Sequence, residues 1–175
     1  MPSRLSLLNR LCFALLLLGR LSAQDAKFQI YRVDDHVYRG KQPARQDIPS
    51  LAASGVRTVL DLRGAMDHQK WEQQAVEAVG MKYVRIGLSG LFAPTDRQID
   101  KILAVLEDPT RGPVFVHCRR GADRSGVVIA CYRIVHDHWT NAQAMEEARQ
   151  QGFSRLEVLM QHYIQHFHSS PTAAR

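Results

Sequence analysis

Residues 117–126, with the sequence HCRRGADRSG, concentrate the chemistry of this chain. They follow the apolar run 113–116 and place Cys118 six residues before Arg124. We call residues 118–124 the Cys–Arg loop. A short glycine-containing loop between a strand and a helix turns backbone N–H groups inward, and these groups bind anions. The guanidinium of arginine adds a planar fork of donors that matches the oxygens of a phosphate.

A thiol inside such a loop is a candidate nucleophile. Cations, backbone N–H groups and the positive end of a following helix stabilise a thiolate relative to the thiol. A thiolate beneath a bound phosphate can attack phosphorus and form a phosphocysteine, which water then hydrolyses. The alternative is a buried structural cysteine, which is a common role for an isolated cysteine. The arrangement of Cys118, Gly121, Arg124 and Gly126 favours the nucleophile.

His117, Cys118, five further residues, Arg124, Ser125 and Gly126 resemble the HCxxGxxR[ST]G signature of cysteine-dependent protein tyrosine and dual-specificity phosphatases. The resemblance extends over residues 30–165 and includes the segments YRGKQP and TVLDLRG. The sequence most resembles the small atypical dual-specificity phosphatases of bacteria, plants and fungi. It implies an enzyme that hydrolyses phosphomonoesters through phosphocysteine, without a cofactor or a metal.

The resemblance also implies a role for each matching side chain. Cys118 would be the nucleophile, and Arg124 would bind the phosphate and stabilise the transition state. Ser125 would form a hydrogen bond with the cysteine sulfur and help it leave the phosphoenzyme. His117 would hold the loop in place and tune the thiol by hydrogen bonds. The other expected substrate-binding residues are Arg119, Arg120, Gly121, Ala122 and Gly126.

The general acid departs from the family pattern. These phosphatases usually carry an aspartate on an earlier loop, and it protonates the leaving oxygen. Here that position falls near Ser89 and Gly90, where there is no carboxylate. Asp123 inside the Cys–Arg loop is our first candidate, and Asp96 after the earlier loop is the alternative. Asp123 could instead brace the loop, and Asp96 could be an ordinary first-turn acid of a helix.

Two further cations, Arg119 and Arg120, lie at the rim of the expected phosphate site. They could select polyanionic substrates such as inositol phosphates or phosphoinositides, or they could be solvated loop residues. The expected partner is therefore a phosphorylated protein or, alternatively, an inositol phosphate. Asp61 and Arg63 follow a neighbouring strand and are secondary candidates for the pocket wall, although pairing at the edge of the core is the simpler role.

Two other functions remain open. A phosphate-binding module without turnover would fit the missing acid, and a rhodanese-like sulfurtransferase would also carry a cysteine in a strand–helix loop. His117 and the Arg124–Ser125 pair argue against the sulfurtransferase. His162 and His166 have a spacing that could hold a metal, but no further ligand lies nearby in sequence, so we assign them to a solvated helix. We assign Cys131 to the core.

The N-terminus shows the pattern of a secretory signal peptide over residues 1–23. Arg4 and Arg10 precede the apolar run 11–18, which is too short to span a bilayer. After this run, small residues lead to Ala23. We expect cleavage there and export to the periplasm or medium. The remaining chain carries a net charge of only +3, which argues against a general nucleic-acid binder.

Strand and helix patterns alternate along residues 24–168, which we predict to be the phosphatase domain, followed by a disordered tail at 169–175. We predict strands at residues 29–33, 36–39, 56–60, 83–86 and 113–116. We predict helices at residues 47–54, 68–79, 96–106 (with Thr95 as N-cap), 125–136, 142–150 and 156–167. This order indicates an α/β fold with a mostly parallel central sheet, helices on both faces and a small N-terminal hairpin. The site should lie at the carboxyl ends of the strands.

Overall fold

The computed structural model describes residues 28–66 and 70–168. The signal peptide predicted at residues 1–23 and the disordered tail predicted at 169–175 lie outside these ranges and stay predictions. The described strands are β1 (Ile30–Arg32), β2 (Val37–Lys41), β3 (Thr58–Arg63), β4 (Lys82–Leu88) and β5 (Val114–Cys118). The described helices are α1 (Ile48–Ala53), α2 (Lys70–Ala78), α3 (Asp96–Leu106), α4 (Asp123–His136), α5 (Asn141–Gln150) and α6 (Val158–His166). Single 3₁₀ turns occur at Arg45–Asp47 and Pro109–Arg111.

The strands form one sheet in the order β1-β2-β5-β3-β4. β1 and β2 form the predicted antiparallel hairpin, and the other neighbouring pairs are parallel. In the hairpin turn, Asp34 accepts hydrogen bonds from the backbone N–H groups of His36 and Val37, each at 2.7 Å. The predicted α/β class with a mostly parallel sheet is therefore confirmed.

The two central strands are buried along their whole length, as expected for a parallel sheet covered by helices. β3 differs from its predicted extent, because it begins at Thr58 and continues through Arg63 instead of ending at Leu60. A charged residue can remain inside a buried strand only if its charge is paired. Asp61 and Arg63 satisfy this condition, since they bind each other.

The core lies on both sides of the sheet, and the alternation of side chains along a strand assigns each residue to a side. Leu60 and Val116 belong to the larger cluster, which packs against α3, α4, α5 and α6. Val59 and Phe115 belong to the smaller cluster, which packs against α1 and α2. Cys118 follows the alternation of Val116 and is part of the larger cluster.

The helix boundaries follow their capping residues. Thr95 is the N-cap of α3, as predicted, and accepts a hydrogen bond from the backbone N–H of Gln98 at 3.3 Å. α4 begins at Asp123, which is earlier than predicted, so its N-terminus lies directly against the Cys–Arg loop. α6 begins at Val158, later than predicted, with Glu157 as its N-cap. Within the described ranges, no helix has the length and apolar character needed to cross a membrane.

The Cys–Arg loop packs directly on the carboxyl end of β2. Gly121 has a φ of +76°, a conformation that residues with a side chain rarely adopt. A Cβ atom at this position would lie 2.5 Å from the carbonyl carbon and 2.6 Å from the carbonyl oxygen of Gly40. Because these are backbone atoms of a paired strand, they cannot move aside without disturbing the sheet.

We therefore expect Gly121→Ala to lower the free energy of unfolding by about 3 kcal/mol, since it adds a steric clash to the cost of the backbone conformation. Gly55→Ala is the matched control, because Gly55 has a φ of +95° and open space where its Cβ would lie. The control should lose only about 1 kcal/mol. Urea denaturation of both variants measures the difference, and equal losses would contradict the close contact with Gly40.

Candidate active site

Cys118 lies at the carboxyl end of β5 and is 2% exposed. Its Sγ atom accepts a hydrogen bond from the backbone N–H of Gly121 at 3.3 Å. The hydroxyl oxygen of Ser125 lies 3.5 Å from the same sulfur, in the first turn of α4. The N–H group, the hydroxyl and the positive end of the helix all stabilise negative charge on sulfur, as the sequence pattern predicts.

Arg39 on β2 holds the Cys–Arg loop in place, and we did not predict this role from the sequence. Its guanidinium is almost fully buried and donates to the carbonyl oxygens of Gly121 at 2.8 Å and Ala122 at 3.4 Å. Burial lowers the pKa of Arg39 from its usual value. Because C=O and N–H groups point in opposite directions across a trans peptide, holding the carbonyls on one side directs the following N–H groups to the other. Arg39 therefore helps to form the anion-binding face of the loop.

The sequence contained a usable signal for Arg39. Val37 and Arg39 are two residues apart on β2, and a period of two places them on the same face. Val37 is fully buried in the core. An arginine in register with a buried valine, on a strand next to the cysteine strand, indicates a buried cation with a specific partner.

A cavity of about 400 Å³ opens above Cys118. It brings together five of the predicted site residues with three that the sequence analysis did not assign. The predicted residues in its lining are Cys118, Arg119, Arg120, Asp123 and Arg124. The additional ones are Gly90, Glu157 and Met160. The start of α6, where Glu157 and Met160 lie, thus contributes to the site although it is distant from the loop in sequence.

Gly126, which we predicted to bind substrate, packs against Phe153 in the structure. It lies in the first turn of α4 and is buried. A Cβ atom there would lie 2.7 Å from the Phe153 ring, so the missing side chain lets this ring pack against the helix. Phe153 in turn precedes Ser154, which contacts the Cys–Arg loop.

Both carboxylate oxygens of Asp123 are engaged. One pairs with the guanidinium of Arg120, and the other accepts a hydrogen bond from the backbone N–H of Ser154 at 2.9 Å. The Asp123 residue is only 8% exposed. These contacts tie the Cys–Arg loop to the segment that precedes α6, so they match the bracing role that the sequence left open. Arg120 is likewise paired and not simply solvated.

Asp96 lies away from the cavity. It accepts a hydrogen bond from the hydroxyl of Tyr163 at 2.7 Å and is not among the residues that line the cavity. Burial raises the pKa of Cys131 well above its usual value, and the charge of Asp96 adds to this effect. Cys131 is eight residues beyond the start of α4, about 12 Å along the helix. The structure therefore does not bring Asp96 together with Cys118.

His117 points to the face of the sheet opposite Cys118, where it joins a buried charged cluster. Its Nε2 atom lies 2.8 Å from a carboxylate oxygen of Glu72 on α2. Arg63 pairs with Glu72 and donates two hydrogen bonds to Asp61, at 2.9 and 2.8 Å. The hydroxyl of Tyr83 also donates to Asp61, at 2.6 Å. Asp61 and Arg63 thus pair within the core, which was the simpler of their two predicted roles.

The charges in this cluster compensate one another. Burial acts to raise the pKa of Asp61, but the hydrogen bonds and charges around the carboxylate, of which the side-chain hydrogen bond from Arg63 is the largest, together outweigh it and lower the pKa to about 2. Burial likewise acts to lower the pKa of Arg63, and its contact with Asp61 raises it instead. Ligand atoms of Asp61, Glu72 and His117 lie within 4.8 Å of one another, a spacing that could hold a metal ion. The guanidinium of Arg63 already supplies the positive charge there.

Other side chains that could react or bind a ligand lie away from the Cys–Arg loop. His162 and His166 are exposed on α6, with ring centroids 4.1 Å apart, as expected for a solvated helix. Cys131 is a fully buried free thiol, as predicted for a core residue. A larger hollow, of about 630 Å³, opens beside Asp34 and Glu107, near the amino end of β2 and thus at the end of the sheet opposite the Cys–Arg loop.

Comparison with known proteins identifies the family. A family model described as "DSP-PTPase phosphatase fused to NAD+ Kinase" matches residues 20–165. The chain belongs to this phosphatase family. "Dual specificity protein phosphatase TpbA" of Pseudomonas aeruginosa is 31% identical over 138 residues, which cover 75% of this chain and 58% of the relative. "Inositol diphosphatase SIW14" of Saccharomyces cerevisiae is 28% identical over 94 residues, which cover 51% of this chain and 33% of the relative.

The chain thus spans less than two thirds of the length of these relatives. Two solved structures share its fold. The core catalytic domain of SIW14 superimposes with a TM-score of 0.71 at 23% identity, covering 81% of this chain and 86% of that one. P. aeruginosa TpbA superimposes with a TM-score of 0.70 at 23% identity, covering 83% and 89%. The family resemblance and the fold class predicted from the sequence are both confirmed.

The buried cluster predicts a pH dependence of stability. The pKa of Asp61 is depressed from 3.8 to about 2, so its stabilising effect is complete above pH 4 and is lost as the pH falls through about 2. Asp61→Asn should lower the free energy of unfolding by about 2 kcal/mol at pH 7. The difference between wild type and variant should shrink between about pH 4 and pH 2.

Urea denaturation across this pH range measures the effect. The control is Asp35→Asn, since the Asp35 side chain is 89% exposed and its pairing with Arg32 should contribute little. A destabilisation by Asp61→Asn that does not change with pH would show that the charge of Asp61 is not what stabilises the fold.

Proposed function

We propose that this protein is a cysteine-dependent phosphatase that hydrolyses phosphomonoesters of the protein phosphotyrosine and dual-specificity type. One observation carries the proposal: the sulfur of Cys118 lies at a cavity lined by Arg124, with the Gly121 N–H and the Ser125 hydroxyl directed at it. Membership of the phosphatase family supports it. So does the similarity to a relative named as a dual specificity protein phosphatase.

The geometry accounts for both halves of such a reaction. The phosphate group binds to the loop N–H groups and to the guanidinium of Arg124, which offset its charge. The Cys118 thiolate attacks phosphorus, the bond to the ester oxygen breaks, and that oxygen leaves with a proton as an alcohol or phenol. Water then attacks the phosphocysteine, inorganic phosphate is released, and the Ser125 hydroxyl stabilises the departing thiolate.

An inositol phosphate is the second candidate substrate, and a specific observation favours it. A hollow of about 590 Å³ lies beside the Cys–Arg loop, with Lys41 and Arg120 in its lining. A further phosphate of a polyphosphorylated ring could bind there while the first lies above Cys118. Relatives named as inositol diphosphatases support this alternative.

We further propose that the protein acts outside the cytoplasm, on the basis of the secretory pattern in residues 1–23. N-terminal sequencing of the protein recovered from the exported fraction should find a chain that starts near Gln24. An uncleaved chain in the cytoplasm would contradict the proposal.

Cys118→Ser should reduce kcat on p-nitrophenyl phosphate by about 1,000-fold or more, because a hydroxyl cannot replace the thiolate. The cavity should still bind orthovanadate in the variant. Cys131→Ala is the matched control, since Cys131 is a buried thiol remote from the cavity, and it should keep most of the activity.

Stopped-flow measurement of wild type on p-nitrophenyl phosphate should also show a burst of p-nitrophenol release, which corresponds to phosphocysteine formation. Substantial turnover by Cys118→Ser would contradict this mechanism. Tight vanadate binding by a wild-type protein that hydrolyses no ester would instead identify a phosphate-binding module.

A panel of phosphotyrosine peptides, phosphoserine peptides and inositol polyphosphates separates the two substrate classes. We expect the highest kcat/KM on a phosphopeptide, with an effect of Lys41→Ala below about threefold, because a single phosphate fits above Cys118. The inositol alternative predicts the reverse order, with a loss of about tenfold or more on Lys41→Ala. Val158→Ala, at an exposed position outside both lining sets, is a control for nonspecific effects.

A further inference from the structure

The proposed reaction needs a proton donor that can reach the ester oxygen inside the cavity. The loop that carries this acid in related phosphatases contributes Gly90, which has no side chain to donate. Among the described residues that line the cavity, two carry a carboxylate, Asp123 and Glu157. The donor should therefore be one of these two, since Asp96 is not among the residues that line the cavity.

Asp123 is poorly suited to donate a proton. Its two oxygens accept hydrogen bonds from Arg120 and from the Ser154 N–H. A proton on the carboxyl would remove its negative charge and so weaken the pairing with Arg120 and the hydrogen bond from Ser154. Asp123 is also only 8% exposed.

Glu157 has the properties that Asp123 lacks. It is half-buried at the N-cap of α6, and its side chain forms no capping hydrogen bond with the helix. Its backbone is fixed on both sides, because its N–H donates to Ser154 and its carbonyl accepts from Gln161. Met160, which is 1% exposed, anchors the first turn of α6 at the same cavity. The backbone of Glu157 is thus fixed at the cavity, and its side chain makes no capping hydrogen bond that a substrate would have to displace.

Charged groups of both signs surround Glu157 at the cavity. The cavity presents Cys118, Arg119, Arg120, Asp123 and Arg124, and Arg155 lies two residues before Glu157 in the chain. Arg120 is close enough to interact with Glu157, but its guanidinium is paired with Asp123.

We infer that Glu157 is the general acid of this phosphatase, an inference that rests on the proposed function. As the Cys118 thiolate forms a bond to phosphorus, the ester P–O bond breaks, and the leaving oxygen takes the proton of the Glu157 carboxyl. The resulting carboxylate then accepts a proton from the water that attacks the phosphocysteine. Phosphate and the thiolate are released, and Glu157 again carries a proton.

The test compares two esters that differ in their need for an acid. 2,4-Dinitrophenyl phosphate releases a stable anion without protonation, whereas phenyl phosphate requires a proton on its leaving oxygen. Glu157→Gln should lower kcat/KM for phenyl phosphate by about 100-fold or more and change the value for the dinitrophenyl ester by less than about threefold. Glu157→Asp, which keeps a carboxyl on a shorter side chain, should recover part of the activity on phenyl phosphate.

The pH dependence provides a second readout. In wild type, kcat/KM for phenyl phosphate should fall on the basic side as Glu157 loses its proton, and Glu157→Gln should lack this fall. Asp96→Asn and Asp123→Asn are the matched comparisons, and neither should lose activity selectively on phenyl phosphate. Equal losses on both esters with Glu157→Gln, or no loss on either, would overturn the inference.

A selective loss in Asp123→Asn or Asp96→Asn, without one in Glu157→Gln, would assign the acid to that aspartate and also overturn it. Near-ultraviolet circular dichroism confirms that each variant is folded, and the dinitrophenyl ester reports whether its nucleophile is intact. Failure of wild type on both esters would contradict the proposed phosphatase function itself, which is a different outcome from failure of Glu157→Gln to discriminate between them.

Discussion

The alternation of side chains at the end of β5 is the constraint on which the site depends. Cys118 and His117 are adjacent in sequence, so a pleated strand must direct them to opposite faces of the sheet. Cys118 therefore lies on the side of the large helical cluster, where α4 begins and an anion can bind. His117 lies on the other side, within 2.8 Å of Glu72. A single buried strand thus separates the reactive thiol from a buried charged cluster that anchors the strand end.

The Cys–Arg loop is held by contacts from three directions, and each uses a different physical interaction. Arg39 binds its carbonyl oxygens from β2, the backbone of Gly40 contacts Gly121, and Asp123 joins it to Ser154 before α6. An anion site needs N–H groups that already converge before the ligand arrives, because reorganising them would consume binding free energy. The three contacts provide this order before a phosphate binds.

Membership of the phosphatase family is compatible with a displaced acid. Nucleophile and phosphate-binding arginine must keep a fixed spacing, because both contact the same phosphate group and are joined by one tight loop. The proton donor has only to reach the leaving oxygen, so it can come from any element that borders the cavity. In this chain Gly90 leaves the usual position without a carboxylate, while Glu157 at the start of α6 faces the same space.

The sequence by itself determined the features that depend on local spacing: the α/β order, the hairpin, the N-cap at Thr95 and the Cys118–Arg124 loop. The predicted end of β3 and the predicted start of α6 were wrong. Burial of Asp61 beside Arg63 and the packing of Met160 are tertiary effects, which local spacing does not show. The tertiary structure alone decided which carboxylates meet the thiol. Spacing in sequence is short-range information, whereas Asp96, Asp123 and Glu157 reach their places through packing between helices far apart in the chain.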